Sequence, residues 1–100
     1  MFATIERWGP AWAVRDSTGL LIRRGFVSRD EADRWSSVTD RSELREFFYP
    51  SSVHWGEDYD ERRGMKRIFA RSAKEALEWA TARQGATLTI DNIFPKEPKP

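Results

Sequence analysis

His54 is the only histidine, so imidazole chemistry at neutral pH has to pass through it. Four carboxylates follow closely: Glu57, Asp58, Asp60 and Glu61. An imidazole among carboxylates can ligate a divalent cation. The spacing, however, fits no established ligand scheme, and Arg62 and Arg63 stand where a calcium loop would continue with ligands. We expect neither metal nor cofactor here. A hydrolytic arrangement would pair His54 with Ser51 or Ser52, yet no Gly-x-Ser-x-Gly elbow accompanies these serines. The chain also lacks a Gly-x-x-x-x-Gly-Lys phosphate loop and a dinucleotide fingerprint. No catalytic residue is assigned, and a non-enzymatic protein is expected.

The same stretch suits contact better than chemistry. Residues 55–63 read Trp-Gly-Glu-Asp-Tyr-Asp-Glu-Arg-Arg. Tryptophan, tyrosine and arginine carry most of the binding energy at protein interfaces. The expected partner-binding residues are therefore Trp55, Glu57, Asp58, Tyr59, Asp60, Arg62 and Arg63, joined by Arg23 and Arg24 on a strand near Arg15. A protein or nucleoprotein complex is the partner these residues suggest. The alternative is nucleic acid, with phosphates held by Arg23-Arg24 and Arg62-Arg63-x-x-Lys66-Arg67 and bases stacked on Trp12, Trp55 and Tyr59. Against it, acids are interleaved throughout and the net charge of +1 exerts no long-range pull on a polyanion. Thirteen of the 17 cations are arginine, a bias that a G+C-rich coding sequence also produces.

Around these residues stands a short chain. One hundred residues suffice for one core, so a single α+β domain over 1–94 is expected. Only 39% of the residues are hydrophobic, but 13% are aromatic, and large rings fill a small core efficiently. Residues 95–100, Pro-Lys-Glu-Pro-Lys-Pro, are expected to form a disordered tail. The chain has no cysteine, which fits a reducing compartment. It shows no signal peptide and no apolar run near the roughly 20 residues that span a bilayer. A cytoplasmic protein without a membrane partner is expected; the oligomeric state is left open.

The elements follow from period and punctuation. Strands are expected at 2–7, 11–15 and 20–27, joined by Trp8-Gly9-Pro10 and Asp16-Ser17-Thr18-Gly19. Ser28-x-x-Glu31 then opens a short helix to about Ser37. A second helix is expected from Asp40-Arg41-Ser42-Glu43, with Leu44, Phe47 and Phe48 on one side and Tyr49-Pro50 ending it. Residues 51–64 read as a long loop, extended near 53–55. A strand at 65–71, a helix lined by Ala73, Ala76, Leu77, Ala80 and Gln84, and a strand at 86–90 complete the list. Gly85 stands where a helix-terminating glycine belongs. The architecture expected is an antiparallel sheet of four to five strands with two to three short helices packed on one face.

One pattern occurs twice. Ser28-x-x-Glu31-Ala32-x-x-Trp35 and Ser72-x-x-Glu75-Ala76-x-x-Trp79 share four residues at identical spacing, each after a strand carrying an aromatic, Phe26 or Phe69. Serine and glutamate cap the helix, alanine allows close approach to the sheet, and tryptophan closes the edge. Internal duplication and convergence both produce such a match. The first helix should be the shorter and more exposed, since Asp33 and Ser36 occupy the places of Leu77 and Ala80.

The hairpin followed by Phe-Val-Ser-Arg-Asp-Glu-Ala (26–32) resembles small phage and mobile-element proteins. The segment Ile-Phe-Ala-Arg-Ser-Ala-Lys-Glu-Ala (68–76) with its helix is similar to the sheet-plus-helix frames of anti-CRISPR proteins. The likeness is architectural, covers about half the chain and transfers no residue roles. It implies a small protein that blocks a larger machine, such as a CRISPR effector, by binding it.

Overall fold

The computed structural model describes residues 2–96, which divide into two compact units, the first ending at Glu43 and the second beginning at Leu44. The fold is α+β. Its strands form two antiparallel sheets, one in each unit, where a single sheet was expected. Each unit holds one copy of the strand-then-helix pattern. Among the described residues no helix is long and apolar enough to cross a membrane.

The first unit is a meander of β1 (Phe2–Trp8), β2 (Ala11–Asp16) and β3 (Leu21–Phe26), in that spatial order, followed by α1 (Arg29–Val38). Asp16 builds the second turn. Its Oδ1 accepts from the Thr18 hydroxyl at 2.6 Å and from the Thr18 and Leu20 amides at 2.9 and 3.1 Å. Its Oδ2 pairs with Arg41 Nε at 3.2 Å. Burial pushes this carboxyl up, but these donors together outweigh burial and hold it below the usual carboxylate range. Trp35 stands 5.1 Å from the Phe2 ring and 5.4 Å from the Phe26 ring, with the Arg23 guanidinium 4.7 Å from its own ring.

The second unit contains β4 (Arg45–Tyr49), β5 (Tyr59–Asp60), β6 (Met65–Ala70), α2 (Ala73–Arg83) and β7 (Phe94–Pro95), with sheet order β5-β6-β4-β7. Its core joins Phe47 and Tyr49 of β4, Ile68 and Ala70 of β6, Ala76 and Ala80 of α2, and Ile93. Trp79 is half-buried against this cluster, and Arg83 lies 4.4 Å over its ring. Gly85, at φ +69°, stops α2 and lets the Ala86 amide return to the Ala80 carbonyl at 3.1 Å.

Three expectations are corrected. Residues 40–49 do not form a helix: Arg41–Glu43 is a single 3-10 turn and 45–49 is β4, paired with β6 on one side and β7 on the other. Leu44, Phe47 and Phe48 do fit one helical face, but Phe47, Phe48 and Tyr49 are all buried. Three consecutive rings can all be buried when they alternate between the two faces of an interior strand. Residues 86–90 form no strand. Ala86 and Leu88 pack on the core without a ladder, and a 3-10 turn follows at Ile90–Asn92, where the Thr89 amide donates to Asn92 Oδ1 at 3.0 Å. Finally, Pro95 and Lys96 do not belong to a tail: Pro95 pairs with Phe47, and the Lys96 amide donates to the Glu46 carbonyl at 3.2 Å. Residues 97–100 lie outside the described residues.

The two helix starts are congruent. In each the serine Oγ accepts from the glutamate amide at 3.1 Å, and the glutamate Oε1 accepts from the residue before the cap, Val27 or Arg71, at 2.9 Å. The sheets around them differ. α1 follows an edge strand, whereas α2 follows β6, an interior strand. The repeat is thus a shared way of starting a helix after a strand, and it does not extend to the strand order. Ser28→Ala and Ser72→Ala should each cost about 1 kcal/mol, measured as a lower urea midpoint at unchanged slope. An unchanged midpoint would mean that the cap contributes nothing.

Candidate functional site

Lys66 shares its strand face with Ile68 and Ala70, so alternation directs a cation toward the apolar side of β6. Burying an unpaired ammonium would be prohibitive. The loop between β4 and β6 folds around it: Lys66 Nζ donates to Asp58 Oδ1 and to the Trp55 carbonyl, each at 2.7 Å. The two side chains are only 4% and 5% exposed. Gly56 adopts φ +106°, which strains any side chain, and a Cβ there would press at 3.2 Å on both Asp58 Oδ1 and Lys66 Nζ.

Every carbonyl from 55 to 58 is engaged. Lys66 takes that of Trp55; the Tyr59 amide donates to Gly56 at 3.1 Å; Arg67 Nη2 donates to Glu57 at 3.3 Å; and the Arg67 amide donates to Asp58. The stretch read from the sequence as a long loop is thus braced through its backbone. Above the brace the Trp55 side chain is 75% exposed, its ring 5.9 Å from Lys66 Nζ. His54 is also exposed and stacks on Tyr59, with centroids 5.5 Å apart and planes inclined by 28°.

Beyond β5 the chain reverses through Asp60. Its Oδ1 accepts from the amides of Arg62 and Arg63 at 2.9 and 3.1 Å, and its Oδ2 pairs with Arg63 Nη1 at 2.8 Å. The Arg63 amide leads in holding the Asp60 carboxyl below the usual range, with the Arg63 side chain and Arg62 amide adding to it against burial. The Arg63 guanidinium also covers the Phe48 ring at 4.2 Å, leaving Glu61 and Arg62 exposed at the turn.

The sequence-derived residues thus separate. Trp55, Glu57 and Arg62 are exposed, and Tyr59 is half-buried beneath His54. Asp58 is buried, and its carboxylate pairs with Lys66. Asp60 and Arg63 shape the turn. Arg23 and Arg24 belong to the first unit, and the loop belongs to the second. Arg23 is buried under Trp35, and Arg24 is half-buried. The sequence reading weighed Lys66 only as a phosphate contact and passed over Gly56. A lysine at an apolar position of a strand was the available signal.

Among the described residues no three His, Asp or Glu side chains converge as metal ligands. Ser51 Oγ accepts from the Val53 amide at 3.0 Å, which makes it a turn former. The groove of about 440 Å³ beside it, walled by Ser51, Ser52, Gln84, Thr87 and Asn92, has no acid, base or imidazole in its lining. Comparison of the chain with protein-family models, curated proteins and solved structures finds no match.

Two outcomes follow. Lys66→Met leaves the Asp58 charge buried without its partner and should cost about 3–5 kcal/mol in chemical denaturation, whereas Lys66→Met with Asp58→Leu should recover much of that loss. Equal stability of the two variants would remove the ion pair from the account. For Asp60, a lowered folded pKa means that its contribution is present above the ordinary carboxylate range and disappears as pH falls through the folded value. Asp60→Asn should therefore be less stable than wild type at pH 7, with the difference shrinking as the pH falls below the ordinary carboxylate range. A gap constant across that range would contradict the titration.

Proposed function

We propose that this chain is a non-enzymatic binding protein that captures a larger protein or nucleoprotein complex through the loop at 53–63 and inhibits or modulates it. The observation that carries this reading is Trp55: a large ring, 75% exposed, on backbone whose neighbouring carbonyls are all satisfied. Tryptophan buries about 150–250 Å² when covered. Three-quarters of that, at about 25 cal/mol per Å², corresponds to a gross gain on the order of 3–5 kcal/mol for a partner that covers it. A braced loop adds to this advantage, because little conformational entropy is lost when the partner docks. Glu57, Glu61 and Arg62 supply a charged rim of mixed sign, the usual surround of a central aromatic contact. Inhibition of a CRISPR effector is the specific role that the architectural resemblance suggests.

Nucleic acid is the competing partner, since Trp55 could also stack on a base. The near-neutral charge and the consumption of Lys66 and Arg63 within the loop favour protein. The test immobilises wild type, Trp55→Ala and Arg62→Ala side by side, exposes them to extract of the source cells, and identifies retained proteins by mass spectrometry. Parallel mobility-shift titrations use labelled single- and double-stranded oligonucleotides. A protein held by wild type and lost at least tenfold with Trp55→Ala, at unchanged melting temperature, is the expected result. Undiminished retention by Trp55→Ala, or a salt-dependent shift of the oligonucleotides at micromolar protein, would reject it.

A further inference from the structure

The first unit carries a separate surface that does not rest on the loop reading. We propose that the groove between β1 and α1 binds an extended peptide of a partner protein, which pairs with β1 as a fourth strand and sets a basic side chain against Asp33. β1 runs for seven residues, Phe2–Trp8, and its only ladder neighbour among the described residues is β2. The outer edge of such a strand presents backbone N–H and C=O groups that an extended chain complements.

A groove borders the first half of this strand, at Phe2, Thr4 and Ile5. Two cavities of about 390 and about 240 Å³ share Phe2 and Ser36 and so adjoin along α1. The smaller is lined by Thr4 and Ile5 of β1 and by Arg29 and Asp33 of α1; the larger continues past Ser37 to Asp40 and Arg41. The ten residues of α1 span about 15 Å, matched by about five residues of strand. The helix wall is low. Ser36 Oγ donates to the Ala32 carbonyl and Ser37 Oγ to the Asp33 carbonyl, both at 2.8 Å, so both hydroxyls fold back onto the helix.

The charges select the occupant. Arg29 lies 5.8 Å from the Trp12 ring, Arg41 pairs with Asp16, and Asp40 accepts from the amide and hydroxyl of Ser42. Asp33 is exposed, and its carboxylate forms no ion pair among the described residues. A peptide strand with a lysine or arginine facing Asp33 and a β-branched apolar residue toward Phe2 and Ile5 meets both demands, whereas an acidic peptide would be repelled.

The test titrates the ¹⁵N-labelled full chain with three capped heptapeptides: Thr-Val-Thr-Lys-Thr-Val-Thr, its glutamate counterpart, and the lysine peptide N-methylated at alternate residues. The lysine peptide should shift the amide resonances of β1 and slow the hydrogen exchange of alternate amides there. The glutamate peptide should bind roughly tenfold more weakly, and the N-methylated one not at all. Asp33→Lys, a change at an exposed helical position, should invert the preference between the charged peptides. Three results would overturn the proposal: no response of β1 at millimolar peptide, a response confined to 53–63, or β1 protection that depends only on the concentration of peptide-free protein, which would identify a second copy as the occupant.

Discussion

A single buried ion pair, Lys66 with Asp58, determines what the second unit presents to its surroundings. Strand alternation carries the lysine to the apolar side of β6, and its charge cannot remain there without a counter-charge. The chain answers by turning back after Pro50, passing Gly56 in a conformation that disfavours side chains, and delivering Asp58 to the ammonium. The exposed indole is a consequence. Once Lys66 also takes the Trp55 carbonyl, the residue's backbone is pinned while its side chain has no core to enter.

An apolar pair of similar volume would stabilise such a site as well or better, because removing two ions from water offsets most of their attraction. What the ion pair adds is direction. A methionine could fill the space, but it could not hold one carboxylate and one particular carbonyl at 2.7 Å each. The first unit shows the same economy in Asp16, whose carboxylate closes a turn with one oxygen and pairs with Arg41 through the other. In both units a buried or nearly buried charge determines loop shape, and the aromatic residues set the packing around it.

Much of the frame was legible in the sequence because its signals are local. Glycine-containing turns delimited β1, β2 and β3, and Ser-x-x-Glu placed both helix starts correctly. The stretch 44–49 was misread because Leu44, Phe47 and Phe48 satisfy a helical period as well as a strand; only pairing with β6 and β7 decides between them. Residues 86–90 alternate as a strand would, yet what the alternation reflects is packing on a core without a ladder. The loop was recognised from its composition, but which of its acids is buried depends on Lys66, eight residues beyond Asp58. Arg23 looked like a surface cation for the same reason: its partner, Trp35, lies on α1.

The most direct measurement is the ¹⁵N relaxation of the backbone from 53 to 58 in the free protein. The brace predicts order parameters near 0.85, level with those of β6 and typical of rigid backbone, even though Trp55 is surface-exposed. Values below about 0.6 across those residues would show a mobile loop and contradict the claim that the Lys66–Asp58 pair holds Trp55 in place.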